Sequence, residues 1–329
     1  MNCSEAIKMI NSIESFIDES TTIAILCHIN PDGDALCSSY ALADVLRNMG
    51  KSVVCVFEDE PGAKYDFLGG EYEVFDNERD YTFDLVIAVD CGDAKRLGKL
   101  YDIFKKAPRT INIDHHKTND NFAMLNVVKP HYCAAAEVIA ELLFDMEADI
   151  SDCAARLLYG GIMSDSGCLK FSSTTPATHR TVAKLLEHDF DHSEVTRMLF
   201  DSNTMELTRL TGYVMNNIES YSDGKITMIC TTSELLEQYG VDEKEANNLI
   251  NIPRSVKGAE IAVEVKQRSG QIRVSIRSNG EAEVDRVAAV FGGGGHIRAA
   301  GATIENMTFE DAKNAVIEAC MNELKRCIE

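Results

Sequence analysis

The chain has 329 residues, of which 45% are hydrophobic and 26% charged, so it is long enough for two globular domains with ample core. Its formal net charge of -21 excludes a function in binding long DNA or RNA, because proteins with that function neutralise phosphates with lysine and arginine. No apolar run approaches the length of a membrane span, and the first twenty residues lack the apolar core of a secretion signal.

The eleven cysteines form no C-x-x-C pair, which disfavours a thiolate zinc site and a disulfide scaffold. We therefore expect a cytoplasmic protein with reduced thiols. We expect neither a membrane nor a long nucleic acid as partner, and a homodimer is compatible with the sequence.

Apolar strands and amphipathic helices alternate along the first half of the chain. The periodicity predicts strands over 21–28, 52–57, 84–89 and 109–113, and helices over 4–18, 35–49, 134–146 and 152–163. Alternation of this kind, continuing to about residue 186, predicts an α/β fold with a doubly wound parallel sheet.

The second half of the chain has a different pattern. A more polar helical stretch over 188–220 predicts a connector between domains. Strands are expected over 225–230, 259–266 and 271–278, with helices over 284–291 and 308–327. The predicted organisation is a catalytic domain over 1–187, a helical connector over 188–220, and a smaller α/β domain with a mixed sheet over 221–329.

Aspartate or histidine follows the carboxyl end of three separate predicted strands. The side chains, with one acidic turn that follows an apolar helix, are His28, Asp32, Asp34, Asp90, His115, His116 and Asp165. Open α/β sheets place their ligands at this edge. The first of these stretches, taken alone, could also be an Asp/Gly-rich turn between a strand and a helix. Three strand ends that are each followed by aspartate or histidine together predict a ligand-binding site.

Carboxylates and imidazoles without thiolates suit Mn²⁺ or Mg²⁺ better than structural zinc. Four aspartates and two histidines suffice for two ions, provided that one carboxylate bridges them. Paired ions about 3.5–4 Å apart clamp the attacking and leaving oxygens of a displacement at phosphorus and activate a shared water. The residues therefore favour metal-dependent phosphoester hydrolysis.

The second domain carries four consecutive glycines before His296, and Arg277 on a predicted strand. Uncovered backbone N–H groups let a phosphate or base approach closely, and arginine binds phosphate in bidentate fashion. A flexible turn explains the same glycines equally well.

Taken together, these motifs resemble the DHH phosphoesterase superfamily, with its DHH-associated C-terminal domain. The stretches that carry the resemblance are His28-x-x-x-Asp32-x-Asp34, Asp90-Cys91-Gly92-Asp93, Asp114-His115-His116, Ser164-Asp165-Ser166-Gly167, Arg277-Ser278 and Gly292-Gly293-Gly294-Gly295-His296. They cover nearly the whole chain and occur in the family's order. Within the superfamily the sequence is most similar to two-domain, RecJ-like oligoribonucleases (nanoRNases) and 3'-phosphoadenosine 5'-phosphate (PAP) phosphatases.

The resemblance implies a role for each motif. One manganese would be held by His28, Asp32 and Asp90, and a second by Asp34, Asp90, His115 and Asp165. Asp90 would bridge the two ions, and His116 would contact the scissile phosphate as an electrophile or an acid. The far end of the substrate would be bound by Arg277, Ser278, Gly293, Gly294, Gly295 and His296.

The implied activity is Mn²⁺-dependent hydrolysis of short oligoribonucleotides or dinucleotides such as pApA to mononucleotides, and of PAP to AMP. A soluble cyclic-di-AMP phosphodiesterase and a non-catalytic nucleotide-binding regulator are the alternatives. Cys37 and Cys168 replace the glycine and arginine that are common near the first and fourth motifs, which leaves the substrate preference open.

Overall fold

A computed structural model describes residues 3–243, 245–268 and 270–327 of the chain. The chain divides into two compact units, one running to Ser202 and the other starting at Asn203. The division lies inside the stretch 188–220 that is predicted as a connector. Among the described residues, no helix is both long and apolar enough to cross a membrane.

The first unit contains a parallel sheet, as the alternating pattern predicts. Its strands are β1 (Thr22–Leu26), β2 (Ser52–Phe57), β3 (Glu73–Val74), β4 (Leu85–Val89), β5 (Thr110–Asp114) and β6 (Leu125–Val128). Their order is β3-β2-β1-β4-β5-β6, and each pair of neighbours is parallel. β1, β4 and β5 are almost wholly buried, which explains their near-continuous apolar sequences.

In residues 3–202, the described part of the first unit, seven α-helices accompany this sheet. They are α1 (Cys3–Asp18), α2 (Gly33–Asn48), α3 (Tyr101–Lys106), α4 (Ala135–Asp145), α5 (Asp152–Asp165), α6 (Pro176–Leu185) and α7 (His192–Phe200). Two separate apolar clusters, one containing Ile23 and Ile25 and the other Ala24 and Leu26, show that β1 is buried on both faces. The doubly wound architecture is therefore confirmed.

The direction in which successive strands are added to the sheet changes between β1 and β4. From β1 the chain builds β2 and β3 on one side of the sheet, and it then returns to build β4, β5 and β6 on the other. In open α/β sheets the loops at such a switch point diverge and leave a crevice for ligands. His28 and Asp90 lie in the two loops that flank this point.

Glycines let α2 and α5 approach closely behind this crevice. A Cβ atom on Gly161 would lie 2.5 Å from the Ala136 Cβ and 2.8 Å from an Asp34 oxygen. A side chain at this position would therefore displace the Asp34 carboxylate or the first turn of α4.

We expect Gly161→Ala to destabilise the first unit by about 1–3 kcal/mol, the usual cost of overpacking a core. Gly212 provides the matched control, because it lies in the helix α8 (Met205–Asn216) and a Cβ there meets nothing within 4 Å. Gly212→Ala should stabilise the protein by about 0.5–1 kcal/mol through helix propensity. Differential scanning calorimetry measures both, and a Gly161→Ala variant as stable as the original chain contradicts the packing argument.

The second unit contains a mixed six-stranded sheet. Its strands are β7 (Glu219–Tyr221), β8 (Ile226–Thr232), β9 (Ile261–Arg268), β10 (Gln271–Ser278), β11 (Gly294–His296) and β12 (Ala299–Ile304). The order is β11-β12-β10-β9-β8-β7, in which the pair of β8 and β9 is parallel and the other pairs are antiparallel. Its helices, besides α8, are α9 (Ser233–Tyr239), α10 (Asn251–Arg254), α11 (Val284–Ala289) and α12 (Phe309–Arg326).

One face of this sheet is apolar along β9, β10 and β12. Val263, Val274 and Ile276 pack there with α11 and α12 in a single core. The structure differs from the sequence prediction at the glycine run, where residues 294–296 form β11 rather than a loop. Predicted strands and helices elsewhere in the unit agree with the structure to within two or three residues.

Candidate metal centre

The loop after β1 places three polar side chains at the switch point. His28 is buried, and its Nδ1 donates a hydrogen bond to the Ile29 carbonyl (2.7 Å), which directs the lone pair of Nε2 away from the backbone. Asp32 caps α2 by accepting hydrogen bonds from the backbone N–H groups of Asp34 and Ala35, both at 3.1 Å. The His28 Nε2 lies 3.9 Å from an Asp32 oxygen.

Asp90 follows β4 and lies at the centre of the cluster. It is 3% exposed, and its two oxygens lie 3.5 Å from the His28 Nε2 and 3.4 Å from the His115 Nε2. Its backbone has a φ of 53°, a left-handed conformation that aspartate and asparagine adopt more readily than most residues. The sharp turn after the strand therefore directs the carboxylate into the crevice.

Asp114, His115 and His116 end β5 and begin the next loop. The His115 Nε2 lies 3.4 Å from oxygens of both Asp90 and Asp165. The neighbouring His116 ring uses Nδ1 for a 2.7 Å hydrogen bond to Asp114, which is fully buried. The two consecutive histidines therefore have different partners.

Asp34, near the start of α2, is also fully buried. Its carboxylate accepts hydrogen bonds from the backbone N–H groups of Ala135 (2.6 Å) and Ala136 (3.0 Å), in the first turn of α4. Ala134, the N-cap of α4, makes no side-chain cap of its own. A carboxylate from α2 therefore caps α4, and these bonds hold Asp34 in one orientation.

These side chains form three overlapping groups whose ligand atoms lie within 4.8 Å of one another. The groups are His28, Asp32 and Asp90; Asp34, His115 and Asp165; and Asp90, His115 and His116. The structure thus brings together all seven first-unit side chains that the sequence nominates. Asp90 and His115 each belong to two of the groups, so these two residues connect the three groups.

The electrostatics of the centre favour bound cations. Burial first, and then the charge of Asp90, raises the pKa of Asp34 well above its usual range. Although burial opposes ionisation of Asp90, its contacts with His115 and His28 hold its pKa well below the ordinary value. Burial likewise disfavours a charged His115, but Asp90, Asp34 and Asp165 together raise its pKa to about 10. The centre therefore holds more carboxylates than positively charged side chains, and bound cations would offset the excess negative charge.

Within the part of the chain that the structure describes, two buried atoms at the centre of the cluster have no hydrogen-bond partner. They are Oδ1 of Asp90 and Nε2 of His115, which face each other at 3.4 Å. Buried polar atoms normally have hydrogen-bond partners, so a pair of this kind marks a position where a ligand would supply the missing contact. Because carboxylate oxygen and imidazole nitrogen are both ligands of divalent cations in proteins, the residues fit a divalent cation.

The structure reveals two supporting asparagines that the sequence analysis missed. Asn119 donates through Nδ2 to Asp114 (2.6 Å) and to the Asn112 side-chain oxygen (2.7 Å), while Asn112 donates to the Cys91 carbonyl (3.1 Å). This network joins the loops after β4 and β5 and orients Asp114. Asn112 could have been noticed in the sequence, because it is a polar residue inside an apolar strand. Nothing in the sequence around Asn119 distinguishes it from other loop residues.

The predicted substrate-binding residues lie in the second unit. Arg277 and Ser278 end β10, and His296 ends β11 and is exposed. A Cβ atom would lie 2.2 Å from the Gly301 carbonyl oxygen if placed on Gly293, and 2.6 Å from the Ala299 carbonyl oxygen if placed on Gly295. Close packing on β12 therefore accounts for these two glycines, whereas Gly294 has nothing within 4 Å. Their role in substrate binding stays a prediction.

Comparison with known proteins identifies the family. The DHH family N-terminal domain matches residues 22–162, and the DHHA1 domain matches residues 226–326. The bifunctional oligoribonuclease and PAP phosphatase NrnA of Thermus thermophilus is 32% identical over 306 residues, which cover 92% of this chain and 90% of that protein. The chain belongs to the DHH family. The resemblance predicted from the motifs is thus confirmed, and His115 and His116 are the two histidines of its DHH motif.

Solved structures support the fold of this DHH protein. An exopolyphosphatase-related protein from Bacteroides fragilis, 25% identical, superposes with a TM-score of 0.91 over 98% of each chain. RecJ from Thermus thermophilus, solved in complex with Mn²⁺, has a TM-score of 0.58 at 13% identity, covering 96% of this chain and 55% of RecJ. The second likeness shows the fold alone.

Proposed function

We propose that this chain, a phosphoester hydrolase of the DHH family, hydrolyses short oligoribonucleotides and dinucleotides such as pApA to mononucleotides, and PAP to AMP. The observation that carries the proposal is that side chains from the ends of β1, β4, β5 and α5 form three groups of candidate ligands connected through Asp90 and His115. The name of the Thermus thermophilus relative, an oligoribonuclease and PAP phosphatase, supports the substrate class.

The proposed cofactor is a pair of Mn²⁺ ions, for which Mg²⁺ can substitute. His28, Asp32 and Asp90 would hold one ion, and Asp34, Asp90, His115 and Asp165 the other. When bound, such ions polarise phosphoryl oxygens and activate water near neutral pH. The two orphaned atoms of Asp90 and His115 support this assignment.

His116 is the proposed proton donor. Its Nδ1 is held by Asp114, whose carboxylate is in turn held by Asn119. This arrangement fixes the orientation of the ring, and Nε2 is the atom that would donate to the leaving or the non-bridging oxygen. Asp114 and Asn119 act through His116 as positioning residues.

The overall charge supports short substrates. A net charge of -21 repels a long polyanion over most of the surface, so productive contacts must be confined to the site and its surroundings. A dinucleotide brings few phosphates and meets little of this repulsion.

A substrate panel tests the proposal. We expect kcat/KM with Mn²⁺ to be at least about tenfold higher for pApA than for a 24-nucleotide RNA, because each added phosphate adds repulsion. PAP and cyclic-di-AMP are assayed in parallel, and Mg²⁺ replaces Mn²⁺ in a second series. Equal rates on pApA and on the 24-mer would contradict the size preference. Turnover of cyclic-di-AMP alone would favour the phosphodiesterase alternative.

A further inference from the structure

A second candidate site lies in the second unit, on the face of its sheet opposite the apolar core. A cavity of about 480 Å³ opens there, and its walls include Lys266, Arg268, Arg273, Ser275 and Gly293. Arg277, the predicted substrate contact on the same strand, is not among the residues that line it. The volume lies within the range of about 300–1,000 Å³ that is typical of small-molecule sites.

Strand register places the cationic side chains of this cavity together. Arg273 of β10 pairs directly with Lys266 of β9, and Ser275 pairs with Glu264. Direct partners in an antiparallel pair project to the same face, and residues two apart on one strand share a face. Glu264, Lys266 and Arg268 therefore line up along β9 beside Arg273 and Ser275.

Arg268 presents an unpartnered donor in this cavity. The residue is 2% exposed, and its terminal nitrogens are fixed by the Thr231 carbonyl (2.7 Å) and the Thr231 hydroxyl (2.9 Å). Among the described residues its Nε has no hydrogen-bond partner, and the carboxylate oxygen paired with it, on Glu243, is 3.9 Å away. A buried, rigidly held N–H without an acceptor is costly unless a ligand supplies one.

The local charge favours an anion. Lys266, Arg268 and Arg273 contribute three cations, in a chain whose overall charge is strongly negative. Glu264 lies 3.3 Å from the Lys266 ammonium and is fully buried, and burial raises its pKa. Glu243 is half exposed and lies at the cavity, where an incoming anion would displace it from Arg268.

We propose that this cavity binds the phosphate group of a nucleotide, held by Lys266, Arg268 and Arg273. Guanidinium and ammonium groups that line one cavity match the several acceptor oxygens of a phosphate better than a single carboxylate. Gly292, Gly293 and Gly301 form part of the cavity wall beside these side chains. That the ligand is a nucleotide rests on the proposed function. Two sources share this chemistry, namely a free nucleoside monophosphate and a distal nucleotide of a longer substrate.

Equilibrium dialysis of radiolabelled AMP against the full chain with Mn²⁺ tests the free-nucleotide source. We expect two classes of site, one of which weakens at least about tenfold in Arg273→Ala, as loss of a charge-assisted hydrogen bond requires. Glu243→Gln should tighten the same class, because it removes the competing carboxylate. Arg286→Ala is the matched control, since Arg286 is 59% exposed and pairs with Glu283 on α11. Lys266→Gln provides a second variant at the cavity.

Kinetics test the distal-nucleotide source. If the cavity holds part of a longer substrate, Arg273→Ala should raise KM for a five-nucleotide RNA at least about fivefold relative to KM for pApA. Unchanged AMP binding together with an unchanged ratio of the two KM values, in both Arg273→Ala and Lys266→Gln, would overturn the proposal. The proposed function fails separately, if the original chain does not hydrolyse pApA.

Discussion

Replacing Asp90 with asparagine is expected to lower kcat/KM for pApA about a thousandfold in the presence of Mn²⁺. Asp90 is the buried carboxylate that contacts both His28 and His115, so its loss removes a ligand from both proposed metal positions. Metal ions supply several kcal/mol of transition-state stabilisation, and each 1.4 kcal/mol or so corresponds to a factor of ten in rate. Asparagine keeps the size of the side chain and tolerates the φ of 53°.

The control for this variant is Asp80→Asn, since the Asp80 side chain is 86% exposed and lies in a surface ion pair. Its activity should stay within about twofold, as is usual for exposed charges. Thermal unfolding provides a readout independent of activity. At about a hundred times its Kd, each bound Mn²⁺ should stabilise the original chain by about 2.7 kcal/mol, and Asp90→Asn should be stabilised far less. A normal rate in Asp90→Asn would end the bridging proposal.

His116→Gln is expected to lower kcat for pApA by about 10²–10⁴-fold, the usual contribution of general acid–base catalysis. The Asp114 carboxylate fixes the His116 ring, so the variant loses an oriented proton donor and not merely a contact. We expect KM to change little, because the residues proposed to bind metal and substrate stay in place. Steady-state kinetics over a pH series measure both parameters and show whether one limb of the profile is lost.

The stabilisation by Mn²⁺ separates this role from metal binding. His116 also belongs to a three-residue group that could hold an ion, so a ligand role is a real alternative. If His116 acts as a proton donor, the variant His116→Gln should keep the increase in unfolding temperature that Mn²⁺ causes. If that shift disappears in His116→Gln, the residue is a ligand and the proposed role is wrong. His131→Gln, at an exposed position, controls for loss of an imidazole.

The parallel sheet and the site within it were predictable because their signals are local. Each buried strand is a short apolar run, and His28, Asp90 and His115 follow such runs within a few residues. Parallel strands share one carboxyl edge, so several polar ends imply a common location. The sequence could not show the order of the strands, which depends on packing between distant segments.

The contacts that support the site could not be predicted from the sequence, because they too depend on packing between distant segments. Asn119 is one polar residue in a polar loop, and its value arises only because the loops after β4 and β5 meet. The glycine run was expected to be a loop, but Gly295 is required where β11 approaches β12. A cavity between strands, such as the one beside Arg268, depends on register and cannot be read from either strand alone.

The cap that α2 supplies to α4 has a thermodynamic consequence. Asp34 is a proposed ligand, and its two oxygens also hold the first turn of α4 through Ala135 and Ala136. Occupancy of the centre and order in that turn are therefore linked equilibria, each of which must shift the other by the same free energy. A substitution in α4 that reduces the order of this first turn would therefore weaken the affinity for the ion, even though α4 contributes no ligand of its own.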